Sequence, residues 1–391
     1  MRRSAHTRST RFRGLRRALV SAAVMAGVVA GTAGWAAGDA QVAVTGPPPG
    51  TAAWRADASF GRPLPDPATA SPREVAAFFA RLDASERTAL ARRHPSVVGN
   101  LDGAPLALRY QANALAVRRD GRFGRLTGRH ILAFDPRGRG QVAEVFGDLA
   151  ASDSVAVITP GSDIDAATYD RRSDPYGTPV GMARELRAAT GGRTAVIAWA
   201  GYTTPVGVGV DAATGRLAEA GAERLVRFTE GLAAVGLPAP AVFCHSYGSV
   251  VCGLAAPRLA ARDLVVLGSP GMRADSAAEL RTGARVWAAK DPDDWIGNVP
   301  NVELFGLGHG TDPASPGFGA RPVPVSGAHG HTGYFAPGTA SLRAFAAIAG
   351  GTADETTEEA TTADGTAATA DGTAATGTGT GTGTGTEGGL R

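Results

Sequence analysis

Short apolar runs, each ended by glycine, proline or aspartate, recur along the chain from Arg129 onward. They lack the alternation of apolar and polar residues that one solvated face would impose, so they indicate strands buried on both faces. Amphipathic stretches such as GMARELRAATG and AGAERLVRFTEGLAAVG lie between them. This alternation predicts an α/β protein with a mostly parallel sheet and helices on both faces. The predicted strands are residues 154–161, 194–202, 240–246, 263–271 and 285–291.

The residues before this region predict helices. Apolar side chains recur at helical spacing through residues 71–93. Two helix-start signals occur there, Ser71 with Glu74 and Asp83 with Glu86, so we expect two helices joined by a short turn. After them, HILAFD and QVAEVFG on either side of PRGRG predict a hairpin.

The two ends of the chain have a different composition. An Arg-rich start and an uncharged run, residues 18–38, are typical of an export signal, which we expect to be cleaved rather than kept as an anchor. GPPPG predicts an extended linker, and a Thr, Ala, Gly and acid composition predicts a disordered tail. The predicted parts are residues 1–45 (signal peptide or anchor), 46–53 (linker), 54–128 (helical segment), 129–349 (sheet domain) and 350–391 (tail). We therefore expect an exported protein, secreted or associated with the cell envelope.

The formal net charge of +3 averages two opposed ends. Residues 1–17 hold seven Arg and no acid, and residues 351–391 carry a net charge of −6, which leaves +2 for the centre. A near-neutral centre does not indicate a nucleic-acid partner. The histidines and cysteines do not fall at H-E-x-x-H or C-x-x-C spacing. We therefore expect no metal site and no cofactor.

The stretch AVFCHSYGSVVC, residues 241–252, joins a predicted strand to a predicted helix at Ser246. A serine at such a corner is raised above the sheet edge, and the start of the helix directs N–H groups toward it. The expected pattern is G-x-S-x-G, in which Gly248 fits and Cys244 takes the place of the first glycine. The pattern therefore predicts a nucleophilic serine, with an ordinary strand-to-helix turn as the alternative.

A serine hydroxyl becomes a good nucleophile when a base takes its proton and an acid orients that base. In this architecture the acid and then the base are expected downstream of the serine. The segment KDPDDWIGNVP offers Asp291, Asp293 and Asp294, and PVPVSGAHGHTGYF offers His329 and His331. We select Asp294 as the acid and His331 as the base, with Asp291 and His329 as alternatives.

An oxyanion that forms beside Ser246 needs two backbone N–H groups. The Tyr247 N–H follows the serine directly, and Gly161 lets the chain turn so that the Ser162 N–H becomes the second predicted donor. His245 adjoins Ser246, but adjacent residues on a sharp turn point in different directions. We predict that His245 packs rather than acts as the base.

Cys244 and Cys252 are the two cysteines of the chain. An even count in an exported protein is typical of a disulfide. However, Cys244 lies at a predicted strand end and Cys252 about two turns into the next helix, where the Cα separation is expected to exceed the roughly 7 Å that a bridge tolerates. We therefore predict two buried thiols.

Several motifs together resemble an actinobacterial α/β-hydrolase subfamily of unknown function. They are CHSYGSVVCG, LGSPG, DWIGNVP, the loop containing GTDPASPGFGA, and GHTGYF. Residues 92–115 are similar to the helical segment that precedes the hydrolase core in that subfamily. The resemblance covers residues 71–347 and implies an α/β-hydrolase fold with Ser246, Asp294 and His331 as a catalytic triad. It implies no particular substrate.

These observations predict a serine hydrolase that cleaves a carboxylic ester or related acyl bond of a small-molecule or lipid-like substrate. The alternatives are a peptidase or amidase that uses the same residues, and a non-catalytic cell-envelope protein with a hydrolase fold. Residues 272–284 are too few for a cap domain. We therefore expect any cover over Ser246 to come from the helical segment or from the loops that carry Tyr169, Tyr176 and Tyr202.

Overall fold

The computed structural model describes residues 40–353. The predicted export signal up to residue 39 and the predicted tail from residue 354 lie outside the described residues. The described chain up to Gly351 forms one compact unit. Within that part of the chain, no helix is both long enough and apolar enough to span a membrane.

The N-terminal region is helical, as its apolar spacing predicts. Ser71 and Asp83 each form a capping box, with Glu74 and Glu86 respectively, so both predicted helix starts are confirmed. The first helix begins at Thr51, inside the predicted linker, because Trp54 is fully buried in the helical core. The helices of this region are α1 (Thr51–Arg55), α2 (Pro72–Ala80), α3 (Ala84–Arg93), α4 (Pro95–Val98) and α5 (Leu106–Asp120).

The central sheet has eight strands in the order β1-β2-β4-β3-β5-β6-β7-β10. β1 and β2 form the predicted antiparallel hairpin, β2 pairs antiparallel with β4, and the other neighbours are parallel. A separate two-stranded hairpin, β8 (Glu303–Leu304) and β9 (Leu307–Gly308), follows. The strands of the main sheet are β1 (Ile131–Asp135), β2 (Gln141–Phe146), β3 (Ser154–Thr159), β4 (Thr194–Ala200), β5 (Ala241–His245), β6 (Asp263–Leu267), β7 (Arg285–Ala289) and β10 (Arg321–Pro322).

Helices cover both faces of the sheet. Val242 and Cys244 of β5 belong to a core shared with one pair of helices, whereas Phe243 between them contacts Phe335 and Phe345 on the other face. Successive side chains of a strand point to opposite faces, which explains this division. The helices here are α6 (Pro179–Ala189), α7 (Val210–Ala213), α8 (Arg216–Ala234), α9 (Gly248–Ala255) and α10 (Ala340–Gly350).

The strand order reverses direction between β3 and β5. The chain leaves β3 for β4 on one side and then returns to β5 on the other side of β3. In open α/β sheets, ligands bind outside the carboxyl ends of the strands at such a reversal. This geometry brings Ser162, which follows β3, close to Ser246, which follows β5, and both line one cavity.

Candidate active site

Ser246 lies at the sharp corner between β5 and α9. It has a φ of 54°, which is unusual for a residue with a side chain. Its N–H donates to the carbonyl of Leu267 on the neighbouring strand over 3.0 Å, which helps to hold the corner. A Cβ at Gly248 would lie 2.5 Å from the carbonyl oxygen of Thr159, so glycine is required at that position of the predicted pattern.

Gly161 lets the turn after β3 approach this corner closely. A Cβ added at Gly161 would lie 2.6 Å from the Cβ of Ser246 and 3.2 Å from the carbonyl oxygen of His245. Contacts below 3 Å are not tolerated by carbon atoms, so a side chain there would displace Ser246 or the turn. The glycine thus fixes the distance between Ser246 and the Ser162 N–H.

The cysteine prediction was wrong. Cys244 and Cys252 form a disulfide, with their Cα atoms 6.4 Å apart. α9 packs back over β5, and this brings Cys252, in the second turn of the helix, within bridging distance of Cys244. Both cysteines are fully buried in the core beneath Ser246.

Asp294 and His331 come together beside the corner. Asp294 precedes a short 3₁₀ helix, Trp295–Asn298, and its Oδ1 lies 2.8 Å from Nδ1 of His331. A carboxylate can only accept, so Nδ1 carries the hydrogen and Nε2 of the neutral ring is left with a free lone pair. The ring of Trp295 lies 4.7 Å from the His331 ring, centroid to centroid, and restricts its orientation.

Tyr334 links this pair to the alternative acid, Asp291. The Tyr334 hydroxyl donates to Asp294 Oδ2 over 2.7 Å and accepts from the Asp291 N–H over 2.9 Å. The Asp291 carboxylate accepts from the Gly330 N–H over 2.6 Å, so it holds the backbone next to His331 and not the imidazole. Sequence reasoning missed Tyr334, although it stands three residues after His331 in GHTGYF.

Opposing effects act on the pKa of Asp294. Burial of the carboxyl raises its pKa, but hydrogen bonds from His331, the Ile296 N–H and Tyr334 outweigh burial and hold the pKa below its ordinary value. Asp294 is therefore ionised at neutral pH. Its charge can stabilise an imidazolium at His331.

His245 packs in the protein, as predicted, and also supports His331. Its Nε2 lies 2.8 Å from the carbonyl oxygen of His331, to which it must donate, and the two ring centroids are 4.7 Å apart. Burial, with a smaller contribution from the facing His331, lowers the pKa of His245 to about 3. His245 is therefore neutral and holds the backbone of His331 in place.

We expect acid to destabilise the protein partly through His245. With a folded-state pKa of about 3 and an unfolded value of about 6.5, its contribution to stability is complete above about pH 6.5 and is lost progressively toward pH 3. In His245→Gln the side-chain amide can still donate to the His331 carbonyl but does not titrate. Between pH 8 and pH 5, the free energy of unfolding of this variant should fall by about 2 kcal/mol less than that of the wild type. Denaturant unfolding at both pH values measures the difference.

The exposed His329 supplies the control for that experiment. His329→Gln should lose as much stability as the wild type between the two pH values. If His245→Gln also behaves like the wild type, the neutral buried state assigned to His245 is wrong.

Ser246 and His331 line the same cavity, whose volume is about 150 Å³. No hydrogen bond joins them among the described residues. His331 is 13% exposed, so its ring is reachable from this cavity. The candidate Asp293 and the alternative base His329 are exposed. Among the described residues, neither hydrogen-bonds to Asp294 or His331, so the structure does not bring them into the site.

The two predicted oxyanion donors flank Ser246. In the described part of the chain, neither the Tyr247 N–H nor the Ser162 N–H donates to another group of the protein. Tyr247 directly precedes α9, and its hydroxyl is anchored on the Thr214 carbonyl over 2.7 Å. Both N–H groups are therefore free to donate to a ligand oxygen, that of Tyr247 from the start of the helix.

A second cavity of about 340 Å³ also reaches Ser246. Within the described chain, neither cavity is lined by a residue before Gly161, so the helical segment does not cover the site. The walls come from the loops after β3, β4 and β7. Among the described residues, no cluster of three or more His, Cys, Asp or Glu could hold a metal ion.

Residues 135–304 match a family model described as alpha/beta hydrolase. This segment runs from the end of β1 to β8 and contains Ser246 and Asp294, whereas His331 lies beyond it. The chain has an α/β-hydrolase fold. Both the predicted fold class and the resemblance that implied it are confirmed.

Two curated relatives are both described as uncharacterized proteins of Mycobacterium tuberculosis, from strains CDC 1551 and H37Rv. Each is 29% identical to this α/β-hydrolase chain, over 74% of the chain and 57% of the relative. The chain thus spans little more than half the length of these relatives. Among solved structures, a dienelactone hydrolase from Anabaena variabilis is 18% identical, with a TM-score of 0.34, over 54% of this chain and 89% of the other.

Proposed function

We propose that the protein is a serine hydrolase that cleaves carboxylic esters through an acyl-enzyme. The observation that carries this proposal is the pairing of His331 with the ionised Asp294, which leaves Nε2 free in a cavity that Ser246 lines. A serine at a strained corner, a base and an orienting acid are the parts that acyl transfer requires.

In the proposed reaction, Ser246 Oγ bonds to the carbonyl carbon while its proton passes to His331 Nε2. The oxyanion accepts hydrogen bonds from the Tyr247 and Ser162 N–H groups. The carbon–oxygen bond to the alcohol then breaks, and His331 returns the proton to the departing oxygen. Water attacks the acyl-enzyme, its proton passes through His331 to Ser246 Oγ, and the carboxylic acid leaves.

The hydrogen bond between Ser246 and His331 belongs to the substrate complex in this proposal. Catalytic hydrogen bonds are often long in a free enzyme and tighten when substrate is bound. Trp295, Asp294 and His245 already fix the ring and backbone of His331.

A fluorophosphonate probe tests the proposal. The purified protein should be labelled at Ser246, and Ser246→Ala should not be labelled. Ser269→Ala, which removes a buried hydroxyl at the end of the neighbouring strand, should label like the wild type. A folded wild-type protein that resists the probe would favour the non-catalytic alternative, and paired assays on acyl esters and matching amides would separate an esterase from an amidase.

We also infer that the protein acts outside the cytoplasm. The disulfide between Cys244 and Cys252 supports this, because disulfides persist in oxidising compartments. Fractionation of the native cells shows in which compartment the protein lies. Recovery of the protein only from the cytoplasm would contradict the inference.

A further inference from the structure

Two cavities of different character meet at Ser246. The smaller has a volume of about 150 Å³ and the larger about 340 Å³. Ser246, Ser162, Val208 and Trp295 line both of them. An ester whose carbonyl carbon lies at Ser246 would therefore extend one part into each cavity.

The walls of the two cavities differ in the charged side chains that they contain. The larger cavity is lined mainly by apolar residues, including Val210, Ala213, Ile296, Val299 and Pro300. Such a surface favours a hydrocarbon chain, because burial of each methylene removes apolar area from water.

The smaller cavity has three charged residues, Asp163, Arg171 and Asp174, in its wall, whereas no Asp, Glu, Lys or Arg of the described chain lines the larger one. The Asp163 carboxylate accepts from the Gly207 N–H over 2.8 Å, so it is held in place at the wall. The Arg171 side chain makes no hydrogen bond or ion pair with the rest of the described chain. A polar group fits here better than a hydrocarbon chain.

The position of His331 determines which part of the substrate occupies which cavity. His331 lines the smaller cavity but not the larger one. In ester cleavage the base must hand its proton to the departing alcohol oxygen, so the alcohol has to leave on the side of His331. Of the two predicted oxyanion donors, Tyr247 lines only the larger cavity and Ser162 lines both. The acyl chain is therefore left with the larger, apolar cavity.

We propose that the substrate is an ester of an apolar acyl chain with a polar alcohol, bound with the acyl chain in the larger cavity and the alcohol in the smaller one. This inference rests on the proposed serine hydrolysis and specifies its substrate class. It assigns acyl selectivity to α7 and to residues 296–300, and it excludes esters in which a long chain belongs to the alcohol.

Exposed apolar side chains extend the larger cavity outward. Of the seven large hydrophobic residues exposed in the described chain, Val206, Val208 and Trp295 lie in loops that form the cavity walls. Val302, Leu304 and Phe305 lie within five residues of the lining residue Pro300, and Phe305 is 96% exposed. A chain longer than the cavity can lie against these apolar side chains, so that less of its length is exposed to water. The substrate class is therefore a long-chain acyl ester.

A pair of esters with reversed polarity tests this direction. Glyceryl monodecanoate carries the long chain on the acyl side, and decyl acetate carries it on the alcohol side. We expect kcat/KM to be at least about tenfold higher for the first, at concentrations where both are monomeric. Equal values, or a preference for decyl acetate, would overturn the inference.

The labelling experiment and p-nitrophenyl acetate hydrolysis report on the proposed function separately. A protein that is neither labelled nor active on any ester contradicts serine hydrolysis itself. A protein that is labelled and hydrolyses p-nitrophenyl acetate, but shows no preference within the reversed pair, contradicts only the assignment of the two cavities.

A cavity-filling variant locates the selectivity. Ala213→Phe places an aromatic ring at the wall of the larger cavity and should lower the ratio of decanoyl to acetyl p-nitrophenyl ester hydrolysis by roughly tenfold. The matched control is Ala53→Phe, at an exposed position of α1, which should leave the ratio as in the wild type. An unchanged ratio in folded, probe-reactive Ala213→Phe would contradict the acyl assignment.

Discussion

Replacing Asp294 with asparagine should lower kcat for ester hydrolysis by roughly 10³- to 10⁴-fold. The carboxylate accepts Nδ1–H of His331, the Ile296 N–H and the Tyr334 hydroxyl, all within 3 Å. An amide carries no charge to stabilise the imidazolium, and its NH₂ group can present a donor to Nδ1, which favours the wrong tautomer. The measurement is steady-state hydrolysis of a p-nitrophenyl ester, which gives kcat for both proteins.

Asp291→Asn is the matched control for this prediction. Asp291 is also buried, but its carboxylate accepts from the Gly330 N–H and does not contact the imidazole. We expect a reduction in kcat at least about tenfold smaller than for Asp294→Asn, since only the loop that carries His331 is loosened. If Asp291→Asn is the more damaging change in a folded protein, the acid has been assigned to the wrong residue.

The fold could be predicted from the sequence because each pattern used depends on residues that are close together along the chain. Strands buried on both faces must be apolar throughout, which made β3 to β7 recognisable. The capping boxes at Ser71 and Asp83 lie entirely within a four-residue window, so sequence spacing sufficed to locate them. Gly248 could be assigned for a similar reason, because a strand-to-helix corner has room for no side chain there.

The parts of the site that were missed depend on contacts between distant segments. Sequence spacing does not reveal that the loop after β7 brings Asp291 and Asp294 to the same hydroxyl of Tyr334. Likewise, the bond from His245 to the His331 carbonyl joins residues 86 positions apart. The disulfide was mispredicted for a geometric reason: two turns of an isolated helix suggested too great a distance, but α9 folds back over β5. The two cavities arise from loops after three different strands, which no linear pattern could relate.

Gly161→Ala should reduce both kcat and the rate of fluorophosphonate labelling by roughly 10²-fold or more. The added methyl group would lie 2.6 Å from the Ser246 Cβ and 3.0 Å from its Oγ, so either the serine or the turn that carries the Ser162 N–H must move. Movement of either one separates the reacting oxygen from an oxyanion donor, whereas the Asp294–His331 pair stays in place.

Gly317→Ala supplies the comparison for this effect, because a Cβ at Gly317 meets no atom within 4 Å. It should retain wild-type activity and a wild-type melting temperature. The critical result is a folded Gly161→Ala protein, with an unchanged melting temperature, that is labelled at the wild-type rate. The close approach of the turn after β3 to Ser246 would then be irrelevant to catalysis, and the second oxyanion donor would have to come from a segment other than Ser162.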